Sequence, residues 1–488
     1  MKGANRFYIQ VISPIHIGCD EVYEPTGFVL NEDARKMVVF DPLSFISQMK
    51  DSDKAEFSRI CAKGTITSLL EVYKFMQHRS AEGRMIDVCP DFLRHYKQTL
   101  SLPMQKERAI QQNLNSFVIP RTAFQSVDQR PYIPGSAIKG ALRTAYLNLM
   151  EREKKLSARG KERNARRLEE RLMEYKGIHT DPFRMVKVSD FRPVGETRTR
   201  IIYGINKRKK TPDRDARGLP LIFEVIQPGA LFVGAISVDF PLPGSGIRKP
   251  VSMEKLLHSA KLFYAHEKER EEKELANIGV EPLPDDKKFQ DETSCYWMRL
   301  GRHSGAESIT IKGHRDIKIM MGKKERPKYL DHATTFWLAS EVRNPVSMNK
   351  LQPFGWITLN RLTDDLSEEF QSKEQEWQKT EERHREIRQA EAKRKRELIK
   401  RAREEAKKRE REEEEKRKEE ERRKERLKAM SPEERDIAAI SDPSVTENRV
   451  VEIYKRIDEF SAENKTSLAL ALKKYWQAHG KWEKKNCS

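Results

Sequence analysis

The sequence is poor in cysteine and holds no arrangement of cysteines typical of a metal site or a disulfide framework. Its 488 residues include five scattered cysteines with no Cys-x-x-Cys pair, and the eleven histidines are equally dispersed. This pattern supports neither a zinc site nor metal catalysis by such ligands, so we expect no cofactor and no metal. The odd number of cysteines favours reduced thiols in a reducing compartment.

Long hydrophobic runs and an aromatic RNP pattern are also missing. No stretch approaches 18 consecutive apolar residues, and the first five residues lack the apolar core of a signal peptide. We therefore expect a cytoplasmic protein with no membrane partner. Aromatic residues make up 8% of the chain and show no RNP pattern, so base stacking on a sheet face is not indicated.

What the sequence has in excess is positive charge. The formal net charge is +19, of which residues 381–430 contribute +6 and residues 431–488 contribute none. Residues 1–380 therefore carry +13, which suits a polyanion such as RNA better than a membrane surface.

The length predicts two or three domains, and the order of the elements predicts an α+β fold. Short strand patterns alternate with helical stretches in both halves, an order compatible with a ferredoxin-like fold, the scaffold of RRM domains. Strand patterns at 221–226 and 230–239 predict a hairpin around residues 227–229. The expected domains are an N-terminal module (1–180) with a helical insertion (43–115), a C-terminal module (181–365), a solitary charged helix (366–430) and a helical hairpin module (431–488).

The few apolar residues of the charged stretch keep no heptad spacing, which argues against a coiled-coil seam. Disorder is the alternative to a solitary helix. Many Glu/Lys and Glu/Arg pairs at i,i+4 spacing favour the solitary helix. A capping-box pattern, Ser-Pro-Glu-Glu at 431–434, predicts the start of a new element.

One segment, Tyr-Ile-Pro-Gly-Ser-Ala-Ile-Lys-Gly, predicts an anion-binding corner at the start of a helix. Pro134 and Gly135 break a short strand, and Ser136 is the expected N-cap of the helix. Lys139 and Arg143 lie four residues apart, so two cations accompany the free backbone N–H groups of the first turn. The alternative is an ordinary turn with exposed charges.

The same segment resembles the Ile-Pro-Gly-Ser-(Ser/Ala)-(Ile/Leu/Phe)-Lys-Gly signature of the RAMP proteins, the RNA-binding subunits of type III CRISPR effector complexes. Three further segments are similar to family motifs. Ser-Pro-Ile-His-Ile-Gly at 13–18 resembles the opening motif. The segment 300–307 resembles a glycine-rich loop, and Pro-Phe-Gly-Trp at 353–356 resembles a closing strand.

The resemblance implies two ferredoxin-like (RRM-like) RAMP modules and a non-catalytic subunit that binds crRNA. The details lean towards the subunit that caps the Csm-type filament at the crRNA 3′ end in type III-A complexes and helps outside nucleases to trim that end. The implied partners are crRNA, other RAMP backbone subunits and an external nuclease. The extension 366–488 is not part of that pattern.

The candidate RNA-binding residues come from four places in the chain. His16 can donate to a phosphate, although a satisfied structural histidine is the alternative. Glycines of the 300–307 loop let backbone N–H groups approach a phosphate, and a basic loop at 207–217 adds charge. The full set is Gly135, Ser136, Lys139, Arg143, His16, Gly18, Arg208, Lys209, Lys210, Gly301, Arg302 and Gly305.

Two other functions stay open at this point. A RAMP-type ribonuclease acting on crRNA precursor or target RNA would use Asp20, Asp33 or His16. A scaffold protein built around the charged helix would explain residues 366–430 but would leave the Lys139 segment unexplained.

Overall fold

The computed structural model describes residues 5–77, 79–103, 107–210, 216, 218–283, 295–321 and 325–482. The chain forms two compact units, Met1–Arg388 and Gln389–Ser488. The first unit mixes helices with strands, as the α+β prediction requires, and the described part of the second unit is helical.

The strands are β1 Asn5–Val11, β2 Gly18–Val22, β3 Phe28–Asn31, β4 Lys36–Val39, β5 Arg84–Val88, β6 Pro120–Thr122, β7 Val186–Val188, β8 Arg192–Pro193, β9 Thr199–Arg208, β10 Leu221–Ile226, β11 Leu231–Val238, β12 Cys295–Arg299, β13 Ile317–Ile319, β14 Lys328–Leu330, β15 Thr335–Ser340, β16 Gln352–Pro353 and β17 Trp356–Arg361. The helices are α1 Pro42–Ser47, α2 Asp51–Ala62, α3 Ile66–Gln77, α4 Pro90–Leu100, α5 Glu107–Ser116, α6 Gly135–Lys154, α7 Ala165–Met173, α8 Met253–Ala276, α9 Asp364–Ala429, α10 Pro432–Ile440, α11 Glu447–Lys455 and α12 Ala462–Ala478.

The first sheet has the spatial order β12–β17–β1–β11–β7, with β8 also paired to β11, and its strands are antiparallel. Successive side chains of a strand face opposite sides, so Phe7, Ile9 and Val11 of β1 enter one core together. Helices α6 and α8 share this core, and the Tyr264 hydroxyl of α8 donates to the Ala141 carbonyl of α6 at 3.1 Å.

The second sheet has the order β16–β15–β9–β5–β4–β3, and β10 also pairs with β9. Strands β5 and β9 are parallel, and the other pairs are antiparallel. Helices α3, α4 and α5 cover it through an aromatic core in which the Phe92 and Tyr96 rings lie 5.4 and 5.8 Å from the ring of Phe117.

Two details of the predicted topology are wrong. Strands β10 and β11 are not a hairpin, because β10 pairs with β9 in the second sheet and β11 pairs with β1 in the first. The insertion at 43–115 is not wholly helical, because β5 lies within it. Each sheet also takes strands from both sides of residue 180, so the sheets do not follow the expected border between two modules, and that border stays a prediction.

The first turns of α9 are anchored within the first unit. Phe370 meets Tyr8 of β1 edge to face at 5.4 Å. The guanidinium of Arg130 donates to both carboxylate oxygens of Glu374 at 2.9 and 2.8 Å and lies 3.5 Å from the Trp377 ring centre. The charged helix forms as the sequence predicts, but these turns are not solitary, because Phe370 and Trp377 give them an apolar face.

The second unit has its own small core. Helices α10, α11 and α12 enclose Ile440, Val450, Ile453 and Leu468. The predicted capping box at Ser431 and Glu434 is confirmed by both of its hydrogen bonds. Among the described residues, no helix is both long enough and apolar enough to cross a bilayer.

Buried ion pairs occupy the C-terminal half of α8. Arg299 of β12 pairs with Glu271, whose other carboxylate oxygen accepts from the indole N–H of Trp356 at 2.7 Å. One turn earlier, Glu267 binds Arg315 at 2.7 Å. Burial alone would raise the pKa of Glu267, but Arg315 and Arg270 hold that pKa below its usual value. These pairs join α8 to the sheet edge and to the loop after β12.

Glu271→Ala should destabilise the first unit by about 3–5 kcal/mol, because it leaves the Arg299 charge buried without its carboxylate. Glu272→Ala is the matched control: its Lys268 pair is partly exposed, so the loss should stay below about 1 kcal/mol. Chemical denaturation of the full chain measures both. Equal losses in the two variants would contradict the structural role given to Glu271.

Candidate functional site

Three of the four motif segments, distant in sequence, meet at the junction of the two sheets. In the first segment, 13–18, Ile15 exchanges two hydrogen bonds with Ile226 at the end of β10, at 3.1 and 2.8 Å. The Ser13 hydroxyl accepts from the N–H of Trp356 at 2.8 Å. The loop thus ties the first strand of one sheet to a strand of the other.

Glycines allow the backbones of these segments to touch. The N–H of Arg302 donates to the His16 carbonyl at 2.8 Å, and a β-carbon on Gly301 would lie 2.5 Å from that oxygen. A β-carbon on Gly355 would lie 2.1 Å from the carbonyl oxygen of Leu300. Both glycines have positive φ, +82° and +84°. The glycines therefore serve backbone packing, which brings Arg302 to the surface.

His16 is a neutral, buried histidine. Its Nδ1 lies 2.8 Å from the carbonyl oxygen of Glu224, and because only a protonated nitrogen can donate to a carbonyl, Nδ1 carries the proton. Burial lowers the pKa of His16 despite that hydrogen bond. Its Nε2 is buried, without a hydrogen-bond partner among the described residues. This geometry matches the satisfied structural histidine better than a phosphate donor, although Nε2 keeps a free lone pair.

An aromatic row continues from His16 towards the surface. The Phe223 ring lies 5.1 Å from His16 and 5.0 Å from His303. Burial, with Arg302 nearby, lowers the pKa of His303 to about 4, so both imidazoles are neutral at pH 7. The exposed guanidinium of Arg302 lies 5.7 Å from the Phe223 ring centre, beside a cavity of about 340 Å³.

The side chain of Glu224 was missed by the sequence analysis. It is fully buried and accepts from Arg84, from the Tyr23 hydroxyl at 2.8 Å and from the N–H of Thr122 at 3.1 Å. The signal was present, since Glu224 is the one charged residue in the apolar strand β10. It joins Tyr23, which follows β2, and strands β5 and β6 to the backbone that holds His16.

The Lys139 segment forms the start of helix α6, as predicted, but its polar groups bind other residues of the same chain. Helix α6 has Pro134 as N-cap, so the prediction that Ser136 is the N-cap is wrong. Pro134 fixes the turn at the start of the helix. The N–H of Gly135 donates to the Asp190 carboxylate at 2.8 Å, so Asp190 supplies the negative charge that a helix N-terminus favours. A β-carbon on Gly135 would lie 2.4 Å from the Val188 carbonyl oxygen, so only glycine fits.

Both cations of this segment have protein partners. The ammonium of Lys139 donates to the Val186 carbonyl at 2.8 Å. Arg143 binds Glu169 at 2.6 Å and Asp181 at 2.9 Å. These side chains hold α6 against its neighbours, and their contact with RNA stays a prediction.

The basic loop is shorter than expected. Residues 207 and 208 belong to β9, and Lys209 is 8% exposed, with its ammonium 2.7 Å from Glu307 and 2.8 Å from Glu274. Two carboxylates neutralise a cation that the sequence analysis placed in solvent. Arg208 is half-buried, and Lys210 is exposed. Residues 211–215 and 217 lie outside the described part of the chain.

The remaining candidates take different positions. Gly18 is exposed at the start of β2, opposite Thr122 of β6. Gly305 has φ +79°, and a β-carbon there would lie 3.3 Å from a guanidinium nitrogen of Arg299. The structure therefore brings His16, Gly301 and Arg302 together, and it holds Gly305 over the buried ion pair of α8. No group of three His, Cys, Asp or Glu side chains in the described ranges is placed to hold a metal ion.

Lys209→Met should lower the free energy of unfolding by about 3 kcal/mol, because it leaves Glu307 buried without its ammonium partner. Lys210→Met, at an exposed neighbouring position, should change it by less than about 0.5 kcal/mol. Denaturant titration of the two full-length variants measures the difference. A stable Lys209→Met protein would show that this lysine is a free surface charge.

The ion pair of Lys209 and Glu307 predicts that the stability of the fold falls in acid. Burial alone would raise the pKa of Glu307, but Lys209 and the N–H of Ala333 lower that pKa to about 2. A depressed carboxyl pKa gives stability that is complete above the unfolded value of roughly 4.3 and is lost as the pH falls towards 2. Unfolding of wild type between pH 5 and pH 2 should show this loss, and Lys209→Met should show less of it.

The comparison with protein families agrees with the motif pattern. The sequence model of the RAMP superfamily matches residues 8–436. Among solved structures, one chain of a "Csm-crRNA-target RNA ternary complex in type III-A CRISPR-Cas system" is 18% identical, with 73% of this chain and 100% of that chain covered and a TM-score of 0.46.

The crystal structure of T.onnurineus Csm5 is 17% identical, with 60% of this chain and 89% of that chain covered and a TM-score of 0.37. No curated protein sequence matches. Because the family model spans most of the sequence, including the convergent loops and the Lys139 helix, the chain belongs to the RAMP superfamily.

Proposed function

We propose that this protein is a non-catalytic crRNA-binding subunit of a type III-A CRISPR effector complex. It caps the backbone filament at the crRNA 3′ end, contacts the neighbouring RAMP subunits and aids trimming of that end by a recruited nuclease. It binds the guide through phosphates and does not read bases. The two-module, ferredoxin-like organisation belongs to this proposal, with α6 and α8 as the helices of the first sheet.

The observation that carries the proposal is the packing of segments 13–18, 300–305 and 353–356 against one another, which leaves the Arg302 side chain exposed at the surface. The exposed Arg302 side chain, held by this packing, suits an anionic backbone, and the +13 charge of residues 1–380 attracts it. The buried histidines next to Arg302 are neutral, so Arg302 supplies the charge of this cluster.

Arg302→Gln should weaken binding of unrelated RNAs to a similar extent and lower the slope of log K against log salt by about 0.7, the share of one single-strand phosphate contact. Arg166→Gln is the matched control, since Arg166 is an exposed arginine paired with Glu170 on α7. Fluorescence anisotropy over a salt series measures both. A strong sequence preference with little salt dependence would contradict phosphate binding.

The role at the 3′ end has its own test. Effector complexes assembled with Arg302→Gln should contain crRNA with longer, less uniform 3′ ends, and complexes with Arg166→Gln should match wild type. Sequencing of the co-purified RNA gives the end positions. Unchanged 3′ ends together with weakened RNA binding would argue against the capping role.

The ribonuclease alternative is favoured by one observation, the free Nε2 lone pair of His16. Asp20 is exposed in β2, and Asp33 is exposed in the turn between β3 and β4. We expect no cleavage of labelled RNA by the purified protein, with or without divalent metal. Activity that disappears in His16→Ala, Asp20→Ala or Asp33→Ala would establish an enzyme instead.

A further inference from the structure

The charge of helix α9 is distributed unevenly. Residues 393–411, here called the basic segment, hold eleven basic and four acidic side chains, a net +7. Residues 412–428, here called the balanced segment, hold eight of each. Helix stability is served by balanced charge, because opposite charges at i,i+4 spacing attract and like charges repel, so the surplus of the basic segment needs a separate explanation.

Ion pairing follows the same division. In the balanced segment, Glu414 binds Lys418 at 2.7 Å and Glu420 binds Lys424 at 2.8 Å. Among the described side chains of the basic segment, the one ion pair is that of Lys408, 4.0 Å from Glu412 in the balanced segment. The surplus cations therefore face solvent without carboxylate partners in the part of the helix that can be described.

Most of the surplus lies on one side of the helix, and Lys395 and Arg409 occupy the other side. At 3.6 residues per turn, residues seven apart share a face, which aligns Lys393, Lys400 and Lys407 in one row. Arg394, Arg401 and Lys408 form a second row next to it, about 100° around the helix. These six side chains are exposed. Glu397 and Glu404 lie beside the first row and offset part of its charge.

The opposite side shows which polyanion suits this surface. A helix that lies on a membrane needs a wide apolar face with large side chains. Here the opposite face offers Ala402, Ala406 and two larger apolar residues, Leu398 and Ile399, and the cation of Arg409 interrupts it. A nucleic acid needs no apolar face, because phosphate contacts by Lys and Arg release counterions and supply the binding free energy.

We propose that the basic segment of α9, residues 393–411, is a second RNA-binding surface that contacts phosphates without reading sequence. The segment is about 27 Å long, from 18 steps at roughly 1.5 Å each, which is enough to follow several nucleotides. The proposal goes beyond the guide-binding role, because it places an RNA contact in the second unit, outside the surface around Arg302.

The test compares two full-length variants with the same change in net charge. The first replaces seven of the described basic side chains of the basic segment with glutamine: K393Q, R394Q, K400Q, R401Q, K407Q, K408Q and R411Q. The second replaces seven in the balanced segment: K416Q, R417Q, K418Q, R422Q, K424Q, R426Q and K428Q. Glutamine has a helix propensity close to those of Lys and Arg, so α9 should persist, which circular dichroism verifies.

Binding of labelled single-stranded RNAs of unrelated sequence is measured over a salt series. The basic-segment variant should bind at least tenfold more weakly at low salt, with a smaller salt slope, and the balanced-segment variant should stay within about threefold of wild type. Equal losses in both variants would reveal a net-charge effect and overturn the proposal. No loss in either would also overturn it, as would binding to anionic lipid vesicles without binding to RNA.

Arg302→Gln separates this inference from the proposed function. If both surfaces bind RNA, combining Arg302→Gln with the basic-segment variant should weaken binding by the product of the two separate losses. A loss confined to the basic-segment variant would reject the Arg302 surface and keep the second one. A loss confined to Arg302→Gln would do the reverse.

Discussion

The first unit depends on close backbone contact between loops that come from opposite ends of the sequence. Residue 16 lies against residue 301, and residue 300 lies against residue 355, at distances that leave no room for a β-carbon. Hydrogen bonds between main-chain groups connect these loops, so the arrangement is insensitive to most side-chain changes nearby. Both sheets meet here, and the orientation of each relative to the other rests on this contact.

The family motifs acquire a physical meaning from this arrangement. Gly301, Gly355 and Gly135 each occupy a position where another backbone passes within about 2.5 Å of where a β-carbon would lie. Much of what looks like a phosphate-binding signature in the sequence therefore serves packing first. Charge reaches the surface through Arg302, whereas Lys139, Arg143 and Lys209 bind oxygens of the protein.

The α+β class, the charged helix and the capping box at residue 431 followed from local signals: strand alternation, i,i+4 charge pairs and turn residues. The meeting of the motif loops was not predicted, because the segments lie far apart in the sequence and no spacing relates them. The main error was in the prediction of strand pairing. A turn such as 227–229 has the same sequence pattern whether the chain reverses within one sheet or crosses to another sheet. The engagement of Lys209 was equally hidden, since Glu274 and Glu307 lie far from it in sequence.

Strand β1 lies in the middle of its sheet, between β11 and β17, whose last residue is Arg361. During synthesis the second of these neighbours leaves the ribosome about 350 residues after β1. At roughly 5–20 residues per second, this interval is on the order of 20–70 s. Throughout it β1 has at least one unpaired edge, which is a template for wrong pairing with another chain. Production of this protein in quantity should therefore respond to chaperone supply and translation rate more than to the stability of the finished fold.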